Sequence, residues 1–239
     1  MFKTGGSGTV VVTEGGVVTG TTTFTNFENI RTVSGDGTLA GQGDDTLNVA
    51  SLSTKSGGVY YVLGNDDLAN YGWYNARHMR EMAPLELNGV ADLMRWEILY
   101  NEGGFAVDAD SECVRGLDDW LLEHEAFACW ENEVVRPSLI AAGYVASKPG
   151  NEFFGQIIKD IQAEPSVVHE RAWKTVGPMR LTQAHRRYGY SELTILPSHF
   201  FIPEHFSGAR YAGSGPVYAR QHWGSTKGIY DTLHQEALA

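Results

Sequence analysis

One stretch limits what this chain can fold into more than any other: residues 88 to 110, NGVADLMRWEILYNEGGFAVDAD. Val90, Leu93, Met94 and Ile98 recur at the spacing of one buried helical face. Gly103 and Gly104 follow, and glycine at the end of such a pattern stops a helix as a C-cap residue. Phe105 to Val107 then read as a short buried strand. A helix that stops at two glycines and re-enters the core as a strand is an α/β unit. Asp108 and Asp110 come next, with only Ala109 between them. If the strand continues, both side chains point the same way, because side chains alternate faces with period two. Like charges held that close repel unless a cation lies between them. A divalent metal with oxygen ligands is the candidate. A lone D-x-D is a weak signal, so its context has to carry the reading.

The rest of the chain from Val59 onward alternates in the same way. "GVYYVLGNDD" reads as a strand ending in a turn, and "GLDDWLLEHE" as a helix. "NEFFGQIIKDIQAE" is a second helix, with Phe154, Ile157, Ile158 and Ile161 on one face. "LTILPSHFFIP" is a strand punctuated by proline. Alternating strands and helices imply an α/β domain over residues 58–239, with a mostly parallel sheet flanked by helices. Ligands of such sheets bind at the carboxyl ends of strands, where Asp108 and Asp110 fall.

Residues 1–57 have a different composition. "GTVVVTEGGVVTGTTTFTNF" is Gly, Thr and Val with almost no charge, which reads as short strands and tight turns. Gly41 to Leu47 resembles the calcium-binding nonapeptide of RTX-type β-rolls, and "NFENI" resembles the segment that precedes such repeats. The likeness covers about one and a half repeats, and a β-roll needs neighbouring repeats to complete its core. A Gly/Asp-rich β-turn module is the other reading of this small β-rich segment.

Composition narrows the function classes. The net charge of −11 argues against general affinity for nucleic acid or anionic membrane. No apolar run has the length of a membrane span. The start, "MFKTGGSG", has no apolar stretch after its lysine, so a cytoplasmic protein is expected. Cys113 and Cys129 are too few for a disulfide framework and read as reduced core residues.

Asp92 and Arg95 are three apart on the helix and share a face. A surface ion pair is the plain explanation. The Gly-Gly turn, however, folds this helix back toward the strand that carries the aspartates. An Arg beside a carboxylate pair suits a substrate with phosphate or hydroxyl groups.

"ADLMRWEILYNEGGFAVDAD" resembles the signature of the DXD-motif sugar transferases of glycosyltransferase family 32. Their pattern runs A-D-x-x-R-[YW]-x-x-L-x-x-x-G-G-[IV]-Y-x-D-x-D, and the catalytic domain of the large glucosylating toxins carries a close relative of it. Ala91, Asp92, Arg95, Trp96, Leu99, Gly103, Gly104, Asp108 and Asp110 all match. Looser likenesses continue through "GLDDWL", "WENEVV", "KPGNEFFGQII", "VGPMRLTQA", "LPSHFFIP" and "QHW", so the resemblance covers about residues 59 to 230.

The resemblance implies a GT-A-like fold. It implies metal-dependent transfer of a sugar from a nucleotide-sugar donor, with retention of configuration, to a glycan, protein or lipid acceptor. The ion would be Mn²⁺ or Mg²⁺. Asp110 would bind it directly and Asp108 less directly, with part of its contact to the ribose or sugar. Asp92 and Arg95 would hold the sugar hydroxyls. If Arg95 does so, Arg95→Ala weakens donor binding and leaves the melting temperature nearly unchanged. Related folds bring a late ligand from the C-terminal tail, which makes His222 a third metal ligand and lets Trp223 stack over the nucleotide. A histidine with an ordinary hydrogen-bonding role is the other reading of His222. Glu131 and Asn132 would line the acceptor side.

Two departures keep other readings open. Ala106 stands where the family has a Tyr that helps hold the nucleotide. The family's opening strand, of the I-P-K-x-I-H-x-x-W type, has no counterpart here, and residues 1–57 take its place. A non-catalytic carbohydrate-binding or structural component on a degenerate transferase scaffold is therefore the alternative. A metal-dependent phosphoester hydrolase is a third, weaker reading, because only His222 offers itself beside the aspartates.

Overall fold

A computed structural model of the chain describes residues 71–108 and 110–229, and four short strands nearer the N-terminus. The expected strand at 58–67, the nonapeptide at 41–47 and the boundary at residue 57 lie outside the described residues. The chain divides into two compact units. One comprises Trp73–Asp108 and Trp120–Gln221, and the other Met1–Gly72, Ala109–Asp119 and His222–Ala239.

The second of these holds the strands β1 (Val12–Glu14), β2 (Val17–Gly20), β3 (Thr22–Thr23) and β4 (Ala50–Ser51). β1 and β2 pair antiparallel. β3 and β4 pair in parallel. This unit also contains the short strand Ser111–Cys113 and the helical turn Gly224–Lys227.

The larger unit is a layered α/β structure. Its sheet contains β5 (Gly104–Val107), β7 (Ala126–Asn132), β8 (Arg136–Ser147) and β9 (Leu193–Leu196), β6 being Ser111–Cys113. The strand order is β5-β8-β7-β9. β8 runs antiparallel to both β5 and β7, and only β7 and β9 pair in parallel. The sheet is therefore mixed, which corrects the expectation of a mostly parallel one.

The reason is a hairpin. β7 turns directly into β8, and Asn132 Oδ1 accepts the amides of Val134 and Val135, each at 3.0 Å. A side chain that caps its own turn lets two strands follow one another without a crossover helix. Sequence reading passed over β8 because "RPSLIAAGYVAS" mixes Pro, Gly and three Ala with few β-formers.

The helices are α1 (Ala76–Met82), α2 (Leu87–Asn101), α3 (Asp119–Leu122), α4 (Glu152–Ala163), α5 (Ala172–Thr175) and α6 (Pro178–Tyr188). α4 buries the face expected of it: Phe154, Ile157, Ile158 and Ile161 are buried, and Asn151 caps it by accepting the Phe153 amide. α3 is a single turn, shorter than the helix expected at 116–125. The helices pack their apolar faces with Ala126, Ala128, Ile140, Ala142 and Val145 of the sheet. A second, aromatic cluster joins Phe105, Phe127, Tyr144, Phe201 and Tyr218, with Phe105 and Phe127 centroids 5.1 Å apart.

α2 differs from its reading in one respect. The buried side of α2 runs through Gly89, Asp92, Leu93, Trp96, Glu97 and Leu99, while Val90, Met94 and Ile98 are half-buried. Two acids lie inside, which apolar periodicity cannot register. Glu97 accepts the amides of Tyr74 (2.7 Å) and Asn75 (2.8 Å), and burial raises its pKa above the usual range. Trp96 Nε1 donates to the Val176 carbonyl at 2.7 Å. Glu102 is the C-cap, and Gly103 follows it with φ +68°. A Cβ there would lie 2.7 Å from Pro149, so glycine is required twice over. Cys129 is buried as expected; Cys113 is half-exposed, and both are free thiols.

Candidate functional site

The larger unit gathers three of the motif residues. Asp92 and Arg95 project from α2, and Asp108 follows the last residue of β5. Arg95 Nη2 donates to Asp108 Oδ1 at 2.5 Å, and Arg95 Nη1 lies 3.8 Å from Asp92 Oδ1. Arg95 Nη1 also donates to the Ala142 carbonyl of β8. Its side chain is only 9% exposed, so this is no surface ion pair. The plain reading of Asp92 and Arg95 as solvated partners is thereby corrected: the Gly103-Gly104 turn brings β5 back beneath α2 and shuts the pair inside.

Asp92 is buried at 8% exposure. Its carboxyl is pushed up to about 7, first by burial and also by the negative charge of Asp108, against the opposing pull of Arg95. Two glycines make room for the acids. A Cβ on Gly177 would lie 2.5 Å from Asp92 Oδ2, and one on Gly143 would collide with Asp108 Oδ2. Asp108 also donates its amide to the Gly143 carbonyl at 3.0 Å. Gln221 Nε2 reaches Asp108 Oδ2 at 3.4 Å. Sequence reading missed Gly143, Gly177 and Gln221. Only the "G-P" and "QHW" likenesses pointed near two of them.

β5 ends at Val107, and Asp110 lies in a turn. The strand does not run through the D-x-D, so the period-two argument for parallel side chains does not apply. Asp110 belongs to the smaller unit and is buried at 8% exposure. Its Oδ2 accepts the Gly224 amide at 2.6 Å, and its carbonyl accepts the His222 amide at 2.9 Å. The 222–224 backbone is thus tied to Asp110 from both sides. The imidazole of His222 lies 3.4 Å from Glu112. Trp223 holds φ +61°, ψ +37°, a left-handed conformation that is rare for a bulky residue.

Asp110 and His222 therefore meet through the backbone. Among the described residues no three His, Cys, Asp or Glu side chains gather as a preformed metal cage. Mg²⁺-type ions are usually held by one or two carboxylates with water and substrate phosphates completing the shell, and the carboxylates of Asp108 and Asp110 are, each by itself, donors of that type.

The other named positions are also placed. Ala106 is half-buried against the helical core cluster. Asn132 is buried and caps the β7–β8 hairpin, a structural task. Glu131 lies 3.7 Å from Arg136 and 3.4 Å from His205, and burial raises its carboxyl above the usual range. Among the described residues no helix is long and apolar enough to cross a membrane.

No family model matches this chain, and no curated protein does. Among solved structures it is similar to one described as "PaToxG Glycosyltransferase", with 15% identity and a TM-score of 0.40. That match covers 54% of this chain and 47% of the other, so this chain spans about half of that structure's length.

Proposed function

We propose that the chain is a metal-dependent glycosyltransferase that moves a sugar from a nucleotide-sugar donor to an acceptor. One observation carries the reading: Asp92, Arg95 and Asp108, three residues of the transferase-like motif, converge at the end of β5 around a single guanidinium. Arg95 holds the Asp108 carboxylate and faces Asp92, a group poised near neutrality. A carboxyl at that balance can accept from or donate to sugar hydroxyls, and the guanidinium fork orients hydroxyl or phosphate oxygens. On the family likeness, Asp108, Asp110 and His222 would each be a ligand for Mn²⁺ or Mg²⁺, and Trp223 would stack on the nucleotide. The ion, when bound, supplies Lewis-acid stabilisation of the diphosphate leaving group. The family likeness adds retention of configuration.

A panel of nucleotide sugars, assayed for donor hydrolysis with and without Mn²⁺, tests this. Metal-dependent release of nucleoside diphosphate from one donor is the expected result. Ala106, in place of the family's Tyr, favours a second reading: a carbohydrate-binding component that has lost the chemistry. Binding of a donor or glycan without any turnover supports that reading. Binding of neither nucleotide sugar nor Mn²⁺ sinks the transferase.

A further inference from the structure

Asp108 is held from two sides, and the second side is unexplained by the motif. Its Oδ1 faces Arg95, while its Oδ2 lies 3.4 Å from the Gln221 side-chain nitrogen. Gln221 lies at the end of β10 (Ala219–Gln221), 113 residues further along the chain. Its other end is anchored as well: the Tyr144 hydroxyl donates to Gln221 Oε1 at 2.9 Å. Tyr144 is fully buried in β8, with its ring stacked on Phe201 at 5.2 Å. The amide can therefore face only one way. Flipped, it would set its carbonyl oxygen against a carboxylate oxygen and give up the tyrosine's donor.

We propose that Gln221, oriented by Tyr144, is a positioning residue that aims the Asp108 carboxylate for the donor. The assignment rests on the glycosyltransferase reading for its consequence, but its geometric content stands apart from it. Arg95 alone fixes one oxygen and leaves the carboxylate free to turn about that contact. A donor on the second oxygen removes that freedom. Asp108 then presents a fixed edge, as residues behind a reacting group commonly do. Tyr144 transmits the rigidity of the aromatic cluster to the site without touching substrate itself.

The test uses Gln221→Met, Tyr144→Phe and the double variant. For the donor on which the parent is active, Gln221→Met lowers kcat about ten- to a hundred-fold, the usual range for loss of such a supporting contact, with KM little changed. Tyr144→Phe lowers it less, because the glutamine is loosened and not removed. The double variant is no worse than Gln221→Met, since both act through one contact. Losses that multiply in the double variant overturn the relay. A rise in KM with kcat intact overturns the positioning role. Crystal structures of the parent and Gln221→Met decide the geometric claim without any activity: the Asp108 carboxylate rotates in the variant, and an unmoved carboxylate refutes the proposal. A parent inactive on every donor refutes the transferase reading alone, because the carboxylate comparison still stands.

Discussion

Arg95 is the residue on which the site turns. Its side chain is 9% exposed, and its guanidinium bridges Asp108, Asp92 and the Ala142 carbonyl. Removing the guanidinium leaves Asp108, whose side chain is 35% exposed, and Asp92, which can take up a proton, so the loss is nearer the value of a partly solvated pair, about 1 kcal/mol. Arg95→Ala therefore lowers the thermal midpoint, which replaces the stability-neutral outcome expected from the sequence. Denaturant unfolding of the parent and variant checks it; equal midpoints would mean the pair contributes nothing. Asp110 behaves differently. Asp110→Asn keeps an oxygen for the Gly224 amide but loses the charge a cation needs. It abolishes any Mn²⁺-dependent rise in melting temperature and changes the stability of the metal-free protein little. A large fall in metal-free stability would mark Asp110 as structural.

Asp92 supplies the pH test. Its folded-state carboxyl sits at about 7, against an ordinary value of 3.8. Between those values the folded chain holds a proton that the unfolded chain has released. Stability from this group is thus present at low pH and is lost as pH rises through the window. Glu97 and Glu131 are shifted the same way by burial and add to the slope. Asp92→Asn removes its share, so the fall in stability between about pH 4 and about pH 7 flattens relative to the parent. Urea titrations across that range measure it, and an unchanged slope would show that Asp92 does not titrate there.

At the scale of the element, the helix–turn–strand unit α2–Gly103-Gly104–β5 is what delivers Asp108 to Arg95. Gly103 takes φ +68° and has Pro149 and the Ser147 carbonyl within 3 Å of where a Cβ would stand. Gly103→Ala loses about 1–2 kcal/mol to the left-handed backbone alone, and the clash adds to this. Gly104 has φ +97° but open space around it, so Gly104→Ala meets backbone strain without a collision. Comparative unfolding of the two variants checks the order, Gly103→Ala being the less stable. The glycine stop was legible in the sequence because glycine at a helix end is a local signal. So was α4, whose apolar face repeats cleanly. β8 was not, since the strands that pair with both its edges and the clusters that cover its faces leave no mark in its own composition.

At the scale of the molecule, the larger unit contains the described buried cluster, from Met79 to Leu193. A chain beginning at Val59 is expected to keep the unfolding midpoint of the parent. Aggregation, or a midpoint clearly lower, would mean that the larger unit does not stand without residues 1–57.

The sequence by itself determined what is local or periodic: the α2 and α4 helices, the glycine stop, the short strand after it, and the spacing of Asp92, Arg95 and Asp108 that made them candidates. These depend on neighbours a few residues apart, so one dimension contains them. The tertiary structure alone decided the rest. The mixed sheet follows from a hairpin whose cap is a single asparagine. The burial of Arg95 depends on Ala142 of β8, 47 residues away. The clearance for the acids comes from Gly143 and Gly177, which have no side chain to pattern. The partner on the far oxygen of Asp108 comes from 113 residues along the chain. No periodicity links residues so far apart; the strands and helices bring them together only when they pack.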